Sequence, residues 1–277
     1  MKPLIVLITD WTYKEGAIMS MKGVMKTIDP TLDITDGTHE IPQYDIWSAS
    51  YRLHQAMRFW PKGTVFITVV DPGVGTARKG VAALTRDGYI IICPDNGTLT
   101  HLAKDQGIVQ VRHLHPHLRL PSTVGTSIFH GRDIFGYVGA LYASGQLTFE
   151  QLGESFDPNE IVKLPPLEYG VKDGVIFGHL EIDDPNFGNV WSNIPVQLLY
   201  DAGFTHADDL HVTIRHKDDI VFDYRLPFRA SFGSVGVGAP VGYVNELMVL
   251  AFAVCQGSFA KTYHIRYGHE WKVHISR

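Results

Sequence analysis

Asp71, Arg78 and His130 are the residues of this sequence whose types and settings best suit the activation of water. Asp71 opens the segment DPGVGTARKG at 71–80, where a proline and two close glycines let the backbone turn tightly beside a ligand. Arg78 adds a permanent cation within the same turn. His130 stands in FHGRDIF at 129–135, just before an expected helix start, with Asp133 in the first turn to complement the helix dipole. By itself His130 reads equally well as a cap or a packed ring. Together, a carboxylate, a guanidinium and an imidazole can polarise and orient a water molecule.

Other groups extend this pattern. Three apolar runs stop at a carboxylate: LIVLIT at Asp10, LDIT at Asp36 and TVFITVV at Asp71. In open α/β sheets, ligands bind outside the carboxyl ends of the strands, although Asp is also a favoured helix cap. PDNGTL at 94–99 is a second tight turn. DDPNFGNVWSNIP at 183–195 sets amides and carboxylates beside Trp191, a composition suited to hydroxyls, an amino-acid head group or a base, or simply to a polar turn between strands. No phosphate loop is present, and Asp10-Trp11-Thr12 follows the first strand where a dinucleotide fingerprint would begin.

The elements that must position these residues divide the chain. Through about residue 143, β-branched runs at 4–9, 32–35, 64–70, 80–85, 89–93 and 109–114 alternate with helical periodicity at 16–28, 45–59 and 132–142, the pattern of an α/β sheet. Beyond 147, Gly and Pro recur, and strand-like runs follow at 174–183, 211–216, 220–226, 241–254 and 260–265. The expected fold is therefore an α/β domain over 1–166 and a β-rich barrel or sandwich over 167–277. A length of 277 residues agrees with about two domains at roughly 150 residues each.

Composition narrows the function classes. Apolar residues make up 45% and charged ones 19%, which argues for packed globular structure over disorder. A net charge of −5 supplies no basic surplus for nucleic acid. The N-terminal apolar run is too short for a secretory core and the run at 248–255 too short for a membrane span. Cys93 and Cys255 lie in apolar runs and read as reduced thiols, so a cytoplasmic setting is expected. Fourteen histidines raise the question of a metal, and His113, His115 and His117 alternate as ligands on one strand face would. Pro116 interrupts that face, and no metal is expected.

The motifs TD at 9–10, MKGVM at 21–25, ITDGTHEIPQYDI at 34–46, VVDPGVGTARK at 69–79, CPDNGTL at 93–99, FHGRDIF at 129–135 and FGNVWSNI at 187–194 together resemble the S-adenosyl-L-methionine (SAM) hydroxide adenosyltransferases, adenosine-forming SAM hydrolases similar in sequence to fluorinase and chlorinase. The resemblance spans nearly the whole chain. It implies a Rossmann-like α/β domain, a C-terminal β-barrel domain, and a homotrimer in which the barrel completes the neighbour's site. It also implies cleavage of SAM by water to adenosine and L-methionine without a cofactor. Carried over by motif, Asp71, Arg78 and His130 match the catalytic set, and Asp10 the acid that holds the ribose hydroxyls. Tyr44 falls where the halogenases carry Trp; Asp184, Asn189 and Trp191 match the methionine and nucleoside end, with adenine contacts expected near Glu246 and Val254. Trp11-Thr12 replaces the usual Phe-Gly, and Asn245-Glu246-Leu247 replaces Asn-Ser followed by glycine. Against a halogenase, Asp71 stands in place of a Tyr and Val74 in place of a halide-contacting Thr, and the stretch from Lys79 to Asp95 is too short for the fluorinase's extra loop. The alternatives are a chlorinase-like enzyme, a non-catalytic SAM- or adenosine-binding trimer, and a metallohydrolase.

Overall fold

A computed structural model describes residues 2–277 and divides the chain into two compact units that meet in sequence between Leu164 and Pro165. The first unit runs β1 (Ile5–Thr9), α1 (Ala17–Ile28), β2 (Ile34–Thr38), α2 (Ile46–Met57), β3 (Val65–Val69), β4 (Gly80–Thr85), β5 (Ile90–Pro94), α3 (Thr100–Asp105), β6 (Ile108–Leu114), α4 (Tyr137–Ala143) and β7 (Gly153–Phe156). Its sheet has the order β2-β1-β3-β5-β4-β6-β7. The first four strands of that order are parallel and the rest antiparallel.

Continuous apolar runs make the central strands because both sheet faces are covered. Ile5, Leu7 and Ile67 pack with Met21 and Met25 of α1 and Val138 of α4. Val6, Ile8 and Phe66 point the other way, onto Leu53 and Met57 of α2 and Leu102 of α3. Asp45 starts α2 by accepting the Ser48 N–H at 2.9 Å. The helix expected over 132–142 opens instead as a wide π-type turn, Gly131–Gly136, and narrows into α4. Glycines permit the close packing: a Cβ on Gly139 would stand 2.4 Å from Ile67.

The second unit comprises β8 (Gly170–Lys172), β9 (Val175–Asp184), β10 (Asn189–Pro195), α5 (Val196–Asp201), β11 (Asp209–His216), β12 (Asp219–Pro227), β13 (Pro240–Val244), β14 (Val249–Val254), α6 (Phe259–Thr262) and β15 (Trp271–Ser276). Its sheet runs β12-β11-β15-β9-β10-β14-β13, with β8 paired to β9. The ends of that order approach each other where Phe228 bridges to Gly242, so the sheet is barrel-like and nearly closed around Leu180, Val190, Val212, Phe252 and Val273. The fold is thus the expected α/β domain followed by a β-barrel domain.

Three local expectations are corrected. The run at 241–254 is two strands, because Asn245 Oδ1 accepts the Leu247 and Val249 N–H groups and Met248 takes a positive φ of 61°, forming a turn. The segment 260–265 is helical at its start, capped by the Ser258 hydroxyl on Lys261 N–H at 3.1 Å. Most of the polar stretch 183–195 is strand: the turn is confined to the residues between β9 and β10.

Candidate active site

β1 and β3 are parallel neighbours with Thr9 opposite Val69, so Asp10 and Asp71 leave the sheet at the same edge. They line a cleft of about 520 Å³ with Trp11, Glu15, Tyr44, Val74 and His130. That volume suits one small-molecule ligand.

Two overlapping turns return the chain from Asp71 to Arg78. Val74 N–H donates to Asp71 O, and Thr76 donates to Gly73 O through both its N–H and its hydroxyl, while Gly75 takes φ 80°. Arg78 Nε then reaches Asp71 Oδ1 at 3.0 Å, and Nη2 contacts Asp71 Oδ2. The same Nη2 lies 3.3 Å from His130 Nδ1. A guanidinium has no lone pair to offer, so Nδ1 is the acceptor and the ring hydrogen sits on Nε2. Burial, and after it the charge of Arg78, lowers the His130 pKa from its ordinary value. The ring of Phe135 lies under the guanidinium at 5.3 Å.

Asp10 accepts the Tyr44 N–H at 2.9 Å, and Tyr44 adopts φ 67° to offer it. Burial raises the Asp10 pKa; the Tyr44 bond lowers it in part, and the charge of Asp71 raises it further. With Arg78 committed to Asp71, Asp10 and Glu15 leave the cleft net negative and hospitable to a cation.

The PDNG turn buttresses this edge, since Asn96 Nδ2 donates to Val70 O at 2.9 Å, immediately before Asp71. Trp11 forms a wall with Phe129 at 5.1 Å and covers Gly131, where an added Cβ would stand 2.2 Å from the indole. Gln43 lies within the quoted ITDGTHEIPQYDI motif, whereas sequence reasoning did not single out Glu15 or Ile128, which also line the cleft. Neither stands in a spacing that marks it. Phe129 and Gly131 lie within the quoted FHG motif.

Asp36 does not end its strand. It lies inside β2, bound to Lys22 and His39, and is absent from the cleft lining. His113 stacks on Phe156 at 3.8 Å and His115 on His117 at 5.1 Å. Among the described residues, no three His, Cys, Asp or Glu side chains gather as a metal cluster.

The remaining predicted residues belong to the second unit. Asp184 ends β9 opposite Asn189, whose Nδ2 lies 3.4 Å from Asp184 Oδ2. Trp191 and Tyr243 pair with Ala251 from either side, and the buried Trp191 Nε1 donates to the Tyr243 hydroxyl at 2.9 Å. Burial drives the Tyr243 phenol well up in pKa, with Asp184 and Glu246 adding to it. Glu246 is exposed in the turn after β13, and Val254 is buried at the end of β14. The sequence-predicted residues thus form a cleft group, Asp10, Tyr44, Asp71, Arg78 and His130, and a barrel group, Asp184, Asn189, Trp191, Glu246 and Val254.

Comparison with known proteins bears on both units. The N-terminal domain of the SAM hydroxide adenosyltransferases matches residues 5–153, and their C-terminal domain matches 179–272. The (R)-S-adenosyl-L-methionine hydrolase of Thermus thermophilus is 31% identical over 97% of this chain and 98% of its own length. That of Methanocaldococcus jannaschii is also 31% identical, over 83% of this chain and 80% of its own. A fluorinase from Actinopolyspora mzabensis is 26% identical over 98% of this chain and 97% of its own. The crystal structure of a conserved protein from Thermotoga maritima superposes with a TM-score of 0.87 at 30% identity, covering 99% of this chain and all of that one.

Proposed function

The chain belongs to the SAM hydroxide adenosyltransferase family, and from that premise we propose that it hydrolyses S-adenosyl-L-methionine to adenosine and L-methionine. Water attacks ribose C5′ in line with the departing sulfonium. The oxygen–C5′ bond forms as the C5′–sulfur bond breaks, the electron pair leaves with the methionine sulfur, and the water proton passes to Asp71 and on to solvent. A sulfonium needs no acid to help it leave, so catalysis consists of holding and polarising the nucleophile.

The arrangement that carries this reading is the single guanidinium shared by Asp71 and His130. Arg78 orients the Asp71 carboxylate and favours hydroxide character in the water beside it. His130 directs Nε2–H at the water oxygen and aligns its lone pair. Asp10 holds the ribose hydroxyls with Tyr44 beside it. Asp184, Asn189, Trp191, Glu246 and Val254 bind the methionine and nucleoside ends from the barrel domain of a neighbouring chain in a homotrimer. On this reading residues 1–166 supply the catalytic loop and 167–277 complete the neighbour's site. The buried, unpaired Cys93 and Cys255 suit a cytoplasmic enzyme. No cofactor, nucleic acid or membrane enters the reaction.

Incubation of the purified protein with SAM in oxygen-18 water, without added metal or halide, tests this directly. Label at the adenosine 5′ position is expected. Label in methionine sinks the substitution mechanism, chloride-dependent 5′-chloro nucleoside identifies a halogenase, and tight binding without turnover identifies a binding protein.

A further inference from the structure

A chain of polar groups that leads from a buried pair, Thr9 and His39, out to the surface runs behind Asp10 and takes no part in the chemistry above. Thr9 and His39 are almost fully buried, and the Thr9 hydroxyl lies 2.8 Å from His39 Nδ1. His39 Nε2 lies 3.0 Å from Asp36 Oδ1, while Lys22 Nζ reaches Asp36 Oδ2 at 2.5 Å and the Tyr13 phenol bonds to the same carboxyl. Burial favours the neutral acid at Asp36, but the bonds from Lys22, His39 and Tyr13 outweigh it and hold the pKa at about 2.

With the His39 ring neutral, those facts set the direction of each bond. Asp36 is ionised and can only accept, so Nε2 of His39 carries a hydrogen and donates it. Nδ1 then accepts the Thr9 hydroxyl hydrogen, which leaves the Thr9 oxygen lone pairs for Trp11 N–H at 3.3 Å. The His39 carbonyl separately accepts Thr12 N–H at 2.8 Å, where Thr12 is held at φ 54°. Both neighbours of Asp10 are thereby tied to the buried His39 ring, Thr9 directly and Trp11 through the Thr9 hydroxyl, while Thr12 is held by the His39 backbone carbonyl. Neither His39 nor Asp36 lines the cleft.

We propose that His39 is a positioning residue, which acts through Thr9 and Trp11 to aim the Asp10 carboxylate at the ribose diol of the substrate without touching it. The inference rests on the reading of Asp10 given above. Adenosine and 2′-deoxyadenosine are the probes, titrated calorimetrically into the full-length protein, with SAM turnover measured in parallel. Wild type should bind adenosine at least about tenfold more tightly, as expected for a hydroxyl bonded to a carboxylate. His39→Gln can still donate to Asp36 but offers Thr9 no acceptor at the Nδ1 position. It should lose about tenfold of that discrimination, raise KM more than it lowers kcat, and weaken 2′-deoxyadenosine, which keeps only the 3′-hydroxyl, by much less than adenosine.

His39→Asn, whose side-chain oxygen can stand near the Nδ1 position, should restore much of the loss. Thr9→Val removes the hydroxyl at nearly constant volume and should reproduce the His39→Gln phenotype, so the comparison survives if one variant fails to fold. Retained discrimination in the folded variants overturns the inference, as does equal weakening of both nucleosides, the mark of a merely structural role. A wild-type protein that binds both nucleosides alike overturns the reading of Asp10 itself, an outcome that involves no variant.

Discussion

Arg78 donates to Asp71 through two nitrogens and to His130 through one of them, so the three side chains act as a unit. Arg78→Lys keeps the charge but cannot span both partners, and kcat should fall by about 100-fold or more, measured as adenosine release. His130 predicts the acid limb of the pH profile. Its native pKa is lowered, so between the unfolded value near 6.5 and the native one the unfolded chain binds more protons. Stability should therefore fall as pH drops below about 6.5, and activity should be lost at the lower native pKa, where protonated Nδ1 turns a donor against Arg78; denaturation and rate profiles against pH check both. That Asp71, Arg78 and His130 come together was legible in sequence because motif and chemistry coincide. The orientation of His130 was not, since it depends on which nitrogen meets Arg78. Nor was the fate of the other histidines: His211 pairs with Asp223 and His101 with Ser50, contacts between residues far apart in the chain.

At the scale of elements, the strand-to-loop junction after β1, where Trp11-Thr12 stands, is one of the two places expected to depart from the family pattern. The backbone at Thr12 keeps a left-handed conformation that a glycine adopts freely and a β-branched residue resists. Thr12→Gly should raise stability by about 1 kcal/mol in denaturant titrations, the relieved strain exceeding the lost Oγ1 contact with Lys14 N–H. β1, β3 and β5 were readable because their faces are both buried and the apolar runs uninterrupted. The hairpin of β13 and β14 was hidden by the apolar residues on either side of Asn245, and α6 by a segment too short for periodicity to register. The wide turn at Gly131–Gly136 had no periodic signature either; its glycines mark where neighbouring side chains come close.

For the whole molecule, the change from alternating strands and helices to strands alone was visible because the two textures occupy separate stretches of sequence. Assembly between chains is not a property of local pattern, and the proposed homotrimer is tested by stoichiometry and by complementation. An Asp71→Asn chain mixed with an Asn189→Ala chain, dissociated and reassembled, should recover activity that neither has alone, measured as adenosine release. Recovery requires sites that draw on two chains; a site built within one chain stays defective in every copy. The barrel adds a consequence of its own. Its closure rests on the Phe228–Gly242 bridge and the Arg229 N–H bond to Gly242 O, and Tyr243, the partner of Trp191, is the next residue along β13. The strand that completes the closure thus also supplies the phenol that fixes the Trp191 indole, so a substitution that loosens the seam should register in the fluorescence of a tryptophan three strands of sequence away.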